Sequence, residues 1–227
     1  MSTFVQSLKN YPKATGYSAW HCRHHVVFRL IRQGFQPLAT LALLASLDLS
    51  AATNEAFDFR DGDRILLMGD TFFEREGDYG QIEARLTAVF GDRTLTFRNL
   101  SWAADTPLGR SRASFDWDKP ETEWLKRVKE QVALVKPTVA FLSYGTTASF
   151  DGEAGIPKFK ADLAKLMDAI DEVSGQKVRY ALFSPIGFEK IANLAPSVIE
   201  TNNVRLRLYS GAIREVADER HARFVPL

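Results

Sequence analysis

The chain has 227 residues, of which 45% are hydrophobic and 25% are charged, and its formal net charge is +1. This composition indicates one globular domain and excludes a disordered chain. The charge is uneven, because residues 1–52 hold five Lys or Arg and one Asp, which leaves 24 basic and 27 acidic residues in the remainder. That balance argues against a nucleic-acid-binding surface. The single cysteine, Cys22, leaves the rest of the chain without disulfide or cysteine–metal chemistry.

Residues 1–52 contain the three parts of a secretory signal. A basic flank at 23–32 precedes an apolar run at 37–49 and the small residues at 50–52. We expect cleavage after Ala52, a translation start near Val26, and a secreted or periplasmic bacterial protein without a membrane span after processing. A buried N-terminal helix is the alternative. A transmembrane helix is disfavoured, because the run is shorter than the roughly 20 apolar residues that span a bilayer and contains Asp48.

The remainder of the chain alternates between strand and helix patterns. The predicted elements are, in chain order, a strand at 65–68, a helix at 79–90, a strand at 95–100, a helix at 120–136, a strand at 139–142, a helix from 157 to about 175, a strand at 178–183, a helix after 196 and a strand at 223–225. Short apolar runs indicate strands that are buried on both faces, and apolar residues at helical spacing indicate the helices that cover them. The last helix is predicted from the spacing of Val204, Leu208, Ile213 and Val216.

Strands that alternate with helices predict an α/β domain over residues 53–227. Its expected architecture is a three-layer α/β/α sandwich on a roughly five-stranded parallel sheet. Ligands of such sheets bind beyond the carboxyl ends of the strands. The loops expected to form the site are therefore residues 69–78, 101–119, 143–156 and 184–196.

Three short motifs follow the first three strands. They are G-D-T at 69–71, N-L-S-W-A-A-D-T at 99–106 and Y-G-T-T-A at 144–148. They resemble the first three sequence blocks of the SGNH (GDSL-type) hydrolases, esterase- and lipase-like enzymes with a flavodoxin-like sandwich. The resemblance covers roughly residues 63–227. A secreted bacterial branch of that family is similar in reading G-D-T-x-x-E-R at the first block, as residues 69–75 do.

The resemblance implies roles for seven residues. Thr71 stands where the family has its nucleophilic serine, and the N–H groups of Thr71 and Ala104, with the hydroxyl of Thr147, would form the oxyanion hole. The site loops would be supported by Gly69, Asp70, Asp105 and Gly145. The family has glycine at the position of Ala104 and asparagine at that of Thr147. Loss of the asparagine amide matters more, because one oxyanion donor changes the rate by about 10² to 10³.

A catalytic base is missing from these motifs. His221 is the one histidine beyond residue 52, and it lies at the amino end of the last predicted strand, whereas Thr71 follows the carboxyl end of the first. We therefore expect His221 to be a cation at a helix C-terminus. In the resembled family a D-x-x-H block follows the last strand, which would place the acid and the base beyond Leu227. We expect a chain that is C-terminally incomplete and inactive by itself, with a degenerate family member as the alternative.

The resemblance predicts an ester hydrolase acting on carbohydrate-linked or small acyl esters, without metal or cofactor. The alternative is a non-catalytic module that binds a glycan or another ligand on the same scaffold. A two-carboxylate glycosidase using Asp70 with Glu74 or Asp105 is a weaker hypothesis. Residues 110–118 form either a sugar-binding rim or a loop anchored in the core by Phe115 and Trp117, and Glu74, Glu76 and Asp78 are expected in a charged surface loop. No oligomeric state is assigned.

Overall fold

A computed structural model describes residues 57–112, 118–190 and 193–227. Its five strands form one sheet in which every neighbouring pair is parallel, and across the sheet the strands follow the order second, first, third, fourth and fifth along the chain. This arrangement confirms the predicted α/β class and the number of strands. The predicted signal segment, residues 1–52, lies outside the described residues.

The strands and helices alternate along the chain. The strands are β1 (Arg64–Gly69), β2 (Thr96–Asn99), β3 (Val139–Ser143), β4 (Arg179–Phe183) and β5 (Arg223–Val225). The helices are α1 (Thr71–Tyr79), α2 (Gln81–Val89), α3 (Glu121–Val135), α4 (Ile156–Ser174) and α5 (Pro196–Glu219). Two short 3₁₀ turns, Ala148–Asp151 and Glu153–Gly155, connect β3 to α4. In the part of the chain that the structure describes, no helix combines the length and apolarity needed to cross a bilayer.

The sheet separates two apolar cores. Successive side chains of a strand point to opposite faces, so Leu66 and Met68 of β1 pack with α3, α4 and α5, while Ile65 and Leu67 pack with α1, α2 and Phe59. Both faces of the central strands are thereby covered, which completes the three layers. The edge strand β2 is the exception, because Phe97 is its one buried residue.

The predicted loop at residues 69–78 is wrong, since α1 occupies nearly all of it. Asp70 caps this helix, and its Phe73 and Glu76 face the core. The run of charged residues suggested a loop, but most of it lies on the outer face of a short amphipathic helix. The prediction that Glu76 belongs to a charged surface is also wrong, because its buried carboxylate accepts a hydrogen bond from the backbone N–H of Ile82 at the start of α2.

The face of α5 also differs from the prediction. Val204 and Leu208 are exposed, and the buried residues of the helix are Ile199, Leu206, Tyr209, Ala212, Ile213, Val216 and Ala217. Tyr209 packs against Phe159 of α4, with 5.0 Å between the ring centroids. The contact therefore uses a tyrosine and small alanines, which a search for aliphatic spacing passes over.

Gly69 provides a test of the close approach between β1 and β3. A Cβ added at Gly69 would lie 2.2 Å from the backbone oxygen of Ser143. We expect Gly69→Ala to lower the free energy of unfolding by more than about 2 kcal/mol, because the strands would have to separate. Urea unfolding followed by circular dichroism measures the change.

Gly211, in the exposed surface of α5, is the matched control, since a Cβ there would meet no atom within 4 Å. We expect Gly211→Ala to raise stability by about 0.5–1 kcal/mol. Equal effects of the two substitutions would contradict the steric argument at Gly69.

Candidate functional site

The site lies where the sheet ends in loops. Backbone hydrogen bonds continue past the strand ends: Leu100 N–H donates to Leu67 O at 2.8 Å, Trp102 N–H donates to Gly69 O at 3.1 Å, and the N–H of Asp70 reaches Ser143 O at 2.9 Å. These bonds hold the loops after β1, β2 and β3 side by side at the carboxyl edge. The structure therefore brings the three sequence motifs together.

Asp70 connects the first motif to the third. One carboxylate oxygen faces the N–H of Phe72 at 3.5 Å, as the N-cap of α1, and the other accepts a hydrogen bond from the N–H of Thr146 at 3.1 Å. The carboxylate is buried, and burial raises the pKa of Asp70 to about 6, although the backbone donors oppose that rise. These contacts connect the start of α1 to the loop after β3.

Thr71 and Ala104 are in direct contact. The backbone N–H of Ala104 donates to Oγ1 of Thr71 at 3.2 Å, and both residues are exposed. Thr71 is the first residue of α1, where helix geometry leaves its own N–H without an intrahelical acceptor. The Thr71 hydroxyl, the Thr71 N–H and the Ala104 N–H thus lie at the N-terminus of a helix, where the helix dipole favours negative charge.

Ala104 adopts a backbone conformation that usually needs glycine. Its φ is +55°, in the left-handed region, and its carbonyl accepts a hydrogen bond from the Ser111 hydroxyl at 2.6 Å. The conformation turns the N–H of Ala104 toward Thr71. The loop therefore carries local backbone strain at Ala104.

A buried ion pair lies within this loop, directly after Ala104 in the chain. Asp105 contacts the Nε of Arg112 at 2.9 Å and accepts a hydrogen bond from the N–H of Ser111 at 3.0 Å. Arg112 also donates to the carbonyl of Leu100 and to the side chain of Gln131 on α3. Burial raises the pKa of Asp105, and the adjacent guanidinium opposes that rise. The sequence did not predict the role of Arg112. Its burial depends on the fold of the loop, and no local sequence pattern signals it.

Thr147 is separate from the Thr71–Ala104 contact. Gly145, with φ +118°, turns the chain after β3, and the N–H groups of Thr146 and Thr147 then face the carboxylate of Asp70. Within the described residues, no hydrogen bond joins Thr147 to Thr71 or Ala104. Thr147 instead lines a cavity of about 130 Å³ between the second and third motif loops.

His221 lies at the amino ends of the parallel strands, whereas Thr71 lies at their carboxyl ends. It follows the C-cap of α5, has φ +52°, and precedes β5, which runs parallel to β4. As the chain order implied, it cannot reach the hydroxyl of Thr71. Glu74 is nearer, because it lies one turn after Thr71 on α1, where Arg75 approaches its Oε2 at 3.4 Å.

Phe115 and Trp117 lie outside the described residues.

Comparison with known proteins supports the fold at low sequence identity. No protein-family model matches the sequence, and no curated protein matches it. Est24, a carbohydrate acetylesterase from Sinorhizobium meliloti, is 14% identical and aligns with a TM-score of 0.51 over 74% of this chain and 84% of its own. BT4096, a gut microbial diltiazem-metabolizing enzyme, is 15% identical with a TM-score of 0.50, over 74% of this chain and 37% of its own.

TesA is 16% identical and aligns with a TM-score of 0.46 over 70% of this chain and 76% of its own. At such identities the likeness shows the fold alone. The described part of the chain has an α/β fold, with a five-stranded, all-parallel sheet flanked by helices, like that of Est24.

The raised pKa of Asp70 predicts a specific pH dependence of stability. Its folded value of about 6 exceeds the ordinary 3.8, so the folded protein binds more protons than the unfolded chain between these values. The contribution is complete below about pH 4 and is lost as the pH rises through 6. We expect the free energy of unfolding of the wild type to fall by about 2–3 kcal/mol more than that of Asp70→Asn between pH 4 and pH 7.

Urea unfolding at the two pH values measures this difference. Asp78→Asn, an exposed change on the same helix, is the control and should follow the wild type. An identical pH dependence of Asp70→Asn and the wild type would contradict the assignment.

The strain at Ala104 predicts that glycine is tolerated there. Relief of the left-handed conformation, about 1 kcal/mol, should exceed the entropy that glycine adds to the unfolded chain, about 0.5 kcal/mol. We expect Ala104→Gly to retain or slightly raise the melting temperature. Ala84→Gly, an exposed change within α2, should lower stability by about 1 kcal/mol. A similar loss for both variants in thermal unfolding would exclude strain at Ala104.

Proposed function

We propose that the protein is a secreted ester hydrolase that acts on carbohydrate-linked or small acyl esters. The observation that carries this proposal is the contact between the Thr71 hydroxyl and the N–H of Ala104 at the N-terminus of α1. Est24, which has the same fold, is a carbohydrate acetylesterase. Secretion is proposed from the signal-like residues 1–52.

In the proposed reaction, Oγ1 of Thr71 attacks the acyl carbon of the ester. The N–H groups of Thr71 and Ala104 then donate to the carbonyl oxygen as it becomes negative, so the Ala104 N–H exchanges its present acceptor, Thr71 Oγ1, for the oxyanion. A base takes the hydroxyl proton and returns it to the departing alcohol, and water later releases the acyl group. Thr147 would add a weaker contact from the third loop.

We propose that the base and its acid partner belong to a D-x-x-H pair beyond Leu227. The position of His221 at the other edge of the sheet supports this proposal. Translation of the reading frame past Leu227 tests it directly, because a pair of Asp and His three residues apart is expected within a few tens of residues. If no such pair is found, the esterase proposal has no catalytic base. We expect the 227-residue chain by itself to show little or no turnover in either case.

The same observation at His221 favours a second candidate, a non-catalytic glycan-binding module. The fold does not choose between a hydrolase and a binding protein. The two candidates differ in whether the Thr71 hydroxyl performs chemistry or only contacts a ligand.

Substitution of Thr71 in the protein continued past Leu227 separates the two candidates. We expect Thr71→Ala to lower the turnover of p-nitrophenyl acetate by at least about a thousandfold, because the nucleophile is removed. Thr71→Ser should retain or raise turnover, since a primary hydroxyl is less crowded. Thr87→Ala, on the exposed side of α2, is the matched control and should leave turnover unchanged. Equal turnover in the wild type and Thr71→Ala would remove Thr71 from the mechanism.

A further inference from the structure

A groove of about 600 Å³ runs along the edge strand β2, on the face of the sheet turned toward α3. The lining includes Arg64 of β1, Thr96 and Arg98 of β2, and Gln131, Leu134 and Val135 of α3. Phe97 is buried on the other face of the sheet, while Thr96 and Arg98 remain exposed. From Thr96 to Trp102 the strand and its extension span about 20 Å, at roughly 3.3 Å per residue.

The charge of the groove has one sign. Of the described residues, three arginines line it and no aspartate or glutamate does. Arg112 is neutralised by Asp105, but Arg64 and Arg98 are exposed and donate to the backbone carbonyls of Lys136 and Phe97. Neither forms a salt bridge with a carboxylate of the described residues. Two guanidinium groups with unused donors along one groove favour an anionic ligand.

The groove begins beside the candidate catalytic residues. Trp102 lines it, is 50% exposed, and is held by its N–H bond to Gly69 O. Gly69 is two residues from Thr71, and Trp102 is two residues from Ala104. The Oγ of Ser101, also in the lining, is buried and has no hydrogen-bond partner among the residues that the structure describes. An aromatic surface and an unsatisfied hydroxyl therefore stand where a ligand would pass from the groove to Thr71.

We infer that this groove binds the chain of an anionic polysaccharide, of the uronate-containing class, and presents an acyl group on that chain to Thr71. The inference rests on the proposed esterase function and specifies its substrate. Arg64 and Arg98 bind carboxylates of the sugar units, and Trp102 packs against the ring nearest the ester.

Isothermal titration calorimetry of the 227-residue protein with polygalacturonate tests this inference without requiring turnover. We expect binding to polygalacturonate and none to dextran, a neutral glycan. Arg98→Gln and Trp102→Ala should each weaken binding about tenfold, a loss of about 1.4 kcal/mol. Arg207→Gln removes the same charge from the exposed face of α5, where Arg207 pairs with Glu200, and should bind like the wild type.

Four outcomes would overturn the inference. They are no binding of polygalacturonate, equal binding of dextran, equal binding of poly-glutamate, and equal effects of Arg98→Gln and Arg207→Gln, the last of which would indicate attraction by net charge alone. Failure of the esterase proposal is distinguishable, because it would be seen as turnover that does not depend on Thr71. The binding measurement depends on Arg98 and Trp102 instead.

Discussion

The buried carboxylate of Asp70 is the contact on which the geometry of the site depends. It caps α1 and at the same time binds the N–H of Thr146 in the loop after β3. The first residue of α1 and the third motif are thereby fixed to one side chain, and Thr71 is presented at the helix N-terminus. The carboxylate is buried without a cationic partner among its hydrogen-bond contacts, so its pKa rises to about 6. Because a buried carboxylate connects α1 to the loop after β3, its charged form is less stable than it would be in water.

The class of the fold could be predicted from the sequence, because parallel strands buried on both faces produce continuous apolar runs and the helices between them have regular spacing. What could not be predicted depends on tertiary contacts. The charged residues of α1 led to the prediction of a loop, whereas the structure has a helix that is stabilised by its cap and by Phe73 in the core. The buried face of α5 relies on Tyr209 and on alanines, so aliphatic spacing selected Val204 and Leu208, which are exposed.

The candidate site was partly predictable for the same reason. The strand ends determined that the three motifs would meet, and the structure places Thr71, Ala104 and Asp70 together at that edge. The partner of Asp105 could not be foreseen, since Arg112 is seven residues away in an irregular loop and only the loop's fold buries both charges. A buried ion pair is a weak source of stability but a strong constraint on geometry, because either charge alone would be costly to bury. The loop around Ala104 is fixed by this pair together with the Ser111 hydroxyl, which donates to the carbonyl of Ala104.

The strand β2 contributes to both the candidate site and the groove. At its carboxyl end, the backbone of Leu100 and Trp102 continues the ladder beside β1 and brings Ala104 to Thr71. Along its length, no helix within residues 57–112, 118–190 and 193–227 covers Thr96 and Arg98, which are exposed beside α3 in the groove. An edge strand is normally protected from unwanted pairing by charge, and Arg98 supplies that protection. Exposed arginines alone would therefore carry no function. The half-exposed Trp102 and the unpartnered Ser101 hydroxyl, both at the end next to Thr71, are not explained by edge protection, and they favour a ligand that extends from the groove into the site.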